Sequence, residues 1–165
     1  MEDDFVKRVF LGGTCGKYGS QWRNEVIKYL DKDIQYFNPL VPVWDDEAIA
    51  NEEKEKQRCN IHLYVLTPCN NWYSVVEACT STYEINHDVV TVICLLRSYG
   101  DKIFSDSEWK SATKAMDLIK SNAFSPVKVI YDLYGTIKFI NDLKDCDFYK
   151  MDLLTWQNRK GDQHG

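Results

Sequence analysis

The patterning of this chain predicts an α/β architecture, a doubly wound parallel sheet of five strands with helices on both faces. Strand-length apolar runs alternate with amphipathic stretches of helix length, and that alternation is the mark of helices packed over a parallel sheet. Two strand ends support the same reading. Gly12-Gly13-Thr14-Cys15-Gly16 follow the first apolar run, and Ser74-Val75-Val76-Glu77 stand shortly after the third. Residues just past the carboxyl ends of strands line the crevice of such a sheet, so these two segments are expected to share one pocket.

Phe5–Leu11 is the first expected strand, and Ser20–Leu30 the first helix, with Trp22, Val26, Ile27 and Leu30 recurring at helical spacing. Gln35–Phe37 is a short second strand, ended by Asn38-Pro39. Asp45–Cys59, with Ala48, Ile49 and many Glu and Lys, reads as a solvated helix. Ile61–Thr67 is the third strand, Ser74–Tyr83 the third helix and Val89–Leu95 the fourth strand. Ser107–Ile119, Val127–Tyr131 and Gly135–Leu143 complete the pattern as helix, strand and helix. Right-handed crossovers make the flavodoxin-like order 2-1-3-4-5 the simplest winding, with strands one and three adjacent.

At 165 residues the chain has the size of one domain. Residues 1–157 are expected to form it, and the polar stretch 158–165 to be a flexible tail. A net charge of −5 and the lack of Lys/Arg clusters argue against nucleic acid as a partner, because phosphate neutralisation needs clustered cations. The start Met1-Glu2-Asp3-Asp4 is acidic where a signal peptide is basic, and no apolar run reaches a membrane span, so a cytoplasmic protein with no membrane partner is expected. Six cysteines without a C-x-x-C pair indicate neither a zinc cage nor a redox dithiol. Cys15 alone lies in the glycine bend, and His62, His87 and His164 lack partners at metal or triad spacing.

Gly12 to Ser20 fails the phosphate-loop spacing, which requires glycine at Leu11 and Ser or Thr at Tyr18. No G-x-G-x-x-G can be laid on these glycines either, and the second strand ends in Asn38 rather than an acid. A tight turn explains part of the bend. The glycines also let backbone amides approach a ligand, and the helix start near Ser20 suits an anion such as a 5'-phosphate.

Ser74-Val75-Val76-Glu77 has two readings. It is a regular capping box, Ser capping the helix and Glu reaching back. It also sets a carboxylate in a first helical turn at the crevice, where the helix dipole favours its charge and it can attack a sugar carbon. Taken with Val9-Phe10-Leu11-Gly12-Gly13-Thr14, Gln21-Trp22-Arg23 and Asn38-Pro39, the segment resembles the nucleoside 2-deoxyribosyltransferase family, in its divergent 2-deoxyribosyltransferase-like branch, over about residues 8 to 96.

That resemblance implies cleavage or transfer at the N-glycosidic bond of a (deoxy)nucleoside or its monophosphate, with Glu77 as nucleophile and Glu52, or the adjacent Glu53, handling the base proton. Such chemistry calls for no metal or organic cofactor. Gly12, Gly13, Thr14, Trp22, Arg23, Asn38, Asn71, Tyr73 and Ser74 become candidates for holding a small-molecule nucleoside or nucleotide. Tyr18, Trp44 and Trp72 are further rings that could stack on a base, and Lys17 could join Arg23 at a phosphate. Family members complete their sites across subunits, so a homo-oligomer is implied, with Phe148-Tyr149 through Trp156 as the segment to watch. The chain departs from the family pattern at Asn60 and Asn70-Asn71, where acids are usual, and at Ala78-Cys79-Thr80, where glycine is common. Two alternatives follow: a non-catalytic nucleotide-binding module that lost the acids, and a glycohydrolase acting on a nicotinamide dinucleotide.

Overall fold

A computed structural model describes residues 5–69, 71–84, 86 and 88–162. Its elements are, in chain order, β1 (Arg8–Gly13), α1 (Gly19–Tyr29), β2 (Gln35–Phe37), α2 (Asp46–Gln57), β3 (Ile61–Leu66), α3 (Trp72–Tyr83) and β4 (Val90–Leu95). There follow β5 (Ser98–Tyr99), β6 (Lys102–Ile103), α4 (Asp106–Asn122), β7 (Val127–Ile130), α5 (Leu133–Asp142) and α6 (Asp145–Asp162).

The main sheet has the order β2-β1-β3-β4-β7 with every neighbouring pair parallel. With the small β5–β6 hairpin set aside, this is the expected 2-1-3-4-5 winding. Every residue of β3 and β4 is buried, as a central parallel strand covered on both faces must be. Alternate residues feed two cores. Val9, Leu11, Leu63, Val65 and Val92 pack with Trp22 and Val26 of α1 and with Ile137 and Ile140 of α5. Phe10, Tyr64, Leu66, Ile93 and Leu95 pack with Ala78 of α3 and with Met116 and Ile119 of α4.

The first strand runs further than its apolar residues, because Gly12 and Gly13 pair with Tyr64 and Val65 of β3. Both glycines are required by that pairing. A Cβ on Gly12 would stand 2.6 Å from the Tyr64 ring, and one on Gly13 would stand 2.3 Å from the Val65 carbonyl oxygen at a φ of +121°. The bend proper starts at Thr14 and passes through a single 3-10 turn, Gly16–Tyr18, into α1.

The third helix begins at Trp72, so Ser74 is its third residue and not its cap. Asn71 holds the capping position, but its side-chain amide is turned back onto the Thr67 carbonyl at 2.5 Å and onto the Cys69 carbonyl. The capping-box reading of Ser74 and Glu77 therefore fails, and Glu77 lies in the second turn, beyond the reach of the free N-terminal amides.

Three elements lack a counterpart in the sequence reading. Strands β5 and β6 hold two residues each around Gly100, too short for any period, yet the Tyr99 hydroxyl accepts from the Trp22 amide at 3.0 Å and donates to the Tyr18 carbonyl at 2.7 Å. Helix α6 seats Phe148 against the core and edge-on to Phe5 at 5.2 Å, while Tyr149, Leu154 and Trp156 stay exposed. Its bounds reach Asp162, within the stretch set apart as a tail; residues 163–165 lie outside the described residues, as do Asn70 and His87. Among the described residues no helix is long and apolar enough to cross a membrane.

Candidate active site

A cavity of about 320 Å³ opens at the carboxyl ends of β1 and β3, lined by Gly12 and Gly13, by Leu40, Val41 and Trp44 of the β2–α2 link, by Glu52 of α2, and by Tyr73, Ser74 and Glu77 of α3. The expected meeting of the glycine segment with Glu77 is thus present. Phe10, Cys15, Gly16, Arg23 and Pro39 complete the lining. A second, more polar cavity lies beyond Glu77, which it shares with the first together with Tyr73.

Helix α2 delivers one carboxylate. Asp45 caps it by accepting from the Ala48 amide at 2.8 Å, with Asp46 and Glu47 favourably placed in the first turn. Its charges are mostly solvated as expected, but Glu52 is turned inward and is the helix's buried residue, while Glu53 is exposed. Burial, then the neighbouring Glu77 carboxylate, push the Glu52 carboxyl up to about 7, against a smaller opposing pull from Lys56.

Glu77 is one and a half turns into α3 and faces α2. Its Oε2 lies 3.2 Å from the Lys56 ammonium, in a pair whose side chains keep only 15% and 10% of their exposure. Lys56 also stands over the Phe10 ring at 5.3 Å and the Tyr64 ring at 5.6 Å. Sequence reasoning missed this lysine within a run of charges. The available signal was spacing, because Lys56 is four residues after Glu52 and so shares its helix face. Burial first, then the Glu77 charge, raise the Tyr64 and Tyr73 hydroxyls above the usual phenol range.

Below the carboxylates, the His62 Nδ1 is 2.9 Å from the Ser81 hydroxyl and its Nε2 is 3.1 Å from the Lys56 carbonyl. Burial, reinforced by Lys56, brings this imidazole down to about 4, so it is neutral and structural. Among the described residues no group of three or more His, Cys, Asp and Glu could hold a metal ion.

Residues 6–98 match the family described as nucleoside 2-deoxyribosyltransferase like. The chain belongs to that family. No curated protein and no solved structure matches it.

In this deoxyribosyltransferase-like chain, several candidate binding residues serve the scaffold. Arg23 lines the cavity but is completely buried, donating to the carbonyls of Leu11 at 3.1 Å, Thr14 at 2.7 Å and Gly19 at 2.8 Å. Trp22 lies in the core with its indole N–H on the Thr14 carbonyl at 3.0 Å. The Thr14 hydroxyl meets Thr67 at 2.8 Å and also bonds Asn71, and the Asn38 side chain accepts from the Leu40 amide at 3.2 Å. None of Thr14, Trp22, Asn38 and Asn71 lines the cavity. Lys17 is taken up over the Tyr18 ring at 4.8 Å. Asn60 ties strand ends together, accepting from the Arg8 amide at 2.8 Å and donating to the Val6 carbonyl at 2.9 Å.

Of the rings considered for stacking, Trp44 and Tyr73 reach the cavity, half or more exposed at its mouth. Phe10, Leu40 and Val41, which the sequence reading did not propose for the site, add apolar lining to it. They come from a strand interior and from a link whose residues bear no chemical signature.

Proposed function

We propose that this chain is an enzyme of the N-glycosidic bond, cleaving it or transferring its sugar, in a nucleoside or nucleoside monophosphate. One observation carries the reading. Two carboxylates of unlike environment share one apolar-walled cavity, Glu52 pushed up to about 7 and Glu77 paired with a cation. Carboxyl groups whose surroundings separate them in this way take opposite roles in acid–base chemistry.

In the first half-reaction a Glu77 carboxylate oxygen forms a bond to the anomeric carbon as the bond from that carbon to the base nitrogen breaks. The electron pair leaves with the base, which takes up the Glu52 proton. The product is a sugar ester of Glu77 and a free base. Glu52, now a carboxylate, draws a proton from water or receives one from a second base as that nucleophile opens the ester with overall retention. Trp44, Tyr73 and the aliphatic wall offer a flat ring an apolar seat.

The test is product analysis on deoxynucleosides, their monophosphates and a nicotinamide dinucleotide, with and without a free acceptor base. Base released by wild type and not by Glu77→Ala is the expected result. Ligand binding with no product from any of them would instead make the chain a binding module, and release of nicotinamide alone would make it a dinucleotide glycohydrolase.

A further inference from the structure

We infer that Lys56 is a shared counter-charge, which pairs with Glu77 in the resting site and passes to Glu52 once Glu77 becomes an ester. The inference rests on the glycosidic reading above and adds to it a positioning residue that touches neither sugar nor base.

The ammonium pairs with Glu77 on the side of the second cavity and acts electrostatically on Glu52 as well. Lys56 and Glu52 are one turn apart on the inner face of α2, and Lys56 Nζ meets Glu77 Oε2 at 3.2 Å from the opposite wall. The Phe10 and Tyr64 rings lie at 5.3 and 5.6 Å from that nitrogen, a floor that favours a cation and offers it no competing anion. The other titratable groups around it are Glu53 on its own helix, Cys59 just after it, Tyr73 on α3, Glu84 at the end of α3, and Tyr64 and His62 on β3. Of these, Glu53 and Glu84 are exposed, burial raises the Cys59 thiol and the Tyr64 hydroxyl, the Tyr73 hydroxyl is raised in the same direction, and the imidazole bonds the Lys56 carbonyl in its neutral form.

Charge conservation then makes Lys56 useful in both halves of the reaction. At rest the site holds protonated Glu52, anionic Glu77 and cationic Lys56, a sum of zero. After attack, Glu77 is a neutral ester, the Glu52 proton has gone to the base, and Lys56 is unchanged, so the sum is zero again. A buried site that keeps its net charge avoids leaving a charge uncompensated at low dielectric. Only the partner of the ammonium changes, from an oxygen on α3 to one a helical turn away on α2.

Glu77→Gln gives a neutral stand-in for the ester, so the exchange can be followed without turnover. The Glu52 carboxyl would be titrated by carbon NMR in wild type, Lys56→Met, Glu77→Gln and the double variant. Losing Lys56 is expected to raise the Glu52 titration by about one to three pH units, and by more in the Glu77→Gln background, where the cation is no longer divided. Equal rises in the two backgrounds would overturn the exchange even if the enzyme is fully active. In the activity assay the alkaline limb of the pH profile, set by Glu52, should move upward in Lys56→Met and stay in place in Lys56→Arg. Loss of activity in Lys56→Met with no movement of that limb would reduce Lys56 to a packing role. A wild type that releases no base from any substrate would sink the glycosidic reading, and the four titrations would still decide whether Lys56 serves both acids.

Discussion

The two walls of the cavity treat their polar groups in opposite ways. On the β1–α1 wall the guanidinium of Arg23, the indole of Trp22 and the hydroxyl of Thr14 all bond to the protein itself, mostly to main-chain carbonyls. On the α2–α3 wall Glu52, Lys56 and Glu77 interact with one another, and among the described residues neither carboxylate has a main-chain partner. The first wall is a closed frame that sets the shape of the bend; the second holds charge in reserve. A polar residue beside a pocket is therefore a candidate for chemistry only after its hydrogen bonds have been traced, because a buried donor already satisfied by carbonyls has little left to offer a ligand.

The contrast is sharpest at Glu52. Glu52→Gln should lower base release by about 10²–10³-fold, as loss of a general acid does, and should lack the fall in rate expected of wild type as pH rises through about 7. The same variant has a stability signature. A carboxyl raised from its usual 4.5 to about 7 binds more protons folded than unfolded, so its contribution to stability is present below about 4.5 and is lost as pH rises to about 7. His62, held down at about 4, works in the opposite sense, its contribution growing as pH rises from about 4 to 6.5. Denaturant midpoints measured across this range should show Glu52→Gln gaining on wild type toward neutral pH.

The frame wall should answer in stability. Gly13→Ala places a methyl 2.3 Å from the Val65 oxygen at a backbone angle that L residues avoid, and should cost about 3 kcal/mol or more in urea unfolding. Arg23→Met strips the donor from three carbonyls and should cost about 2–3 kcal/mol, with no rescue by lysine, whose single ammonium cannot span them. If Arg23→Met folded as well as wild type and lost only affinity for monophosphates, the guanidinium would be a ligand group and the two walls would not differ as argued. The smallest effect belongs to Glu53→Gln, an exposed neighbour of Glu52, which should change kcat/KM by less than about threefold.

Much of this was legible in the chain. Alternation of strand and helix lengths predicted the sheet order, and the position of Glu77 after a central strand placed it in the same cavity as Gly13. Glu52 was reached through likeness to the family, with Glu53 left open beside it, since a helix rich in Glu and Lys has no strong stripe from which its inner face can be read. The start of α3 was misplaced because Ser74 and Glu77 satisfy a local capping pattern, while Trp72 and Tyr73 carry no helix-start signal.

What the residues determined by themselves is the class of fold and the strand ends that meet, because these follow from period, length and crossover hand, which act along the chain; the family was read from the likeness of its short segments. Which acid faces inward, that Lys56 stands opposite Glu77, and that Arg23 is spent on carbonyls were decided only by packing. Electrostatic pairing across a cavity depends on distances between segments remote in sequence, and those distances do not exist until α2 and α3 have closed over the same edge of the sheet.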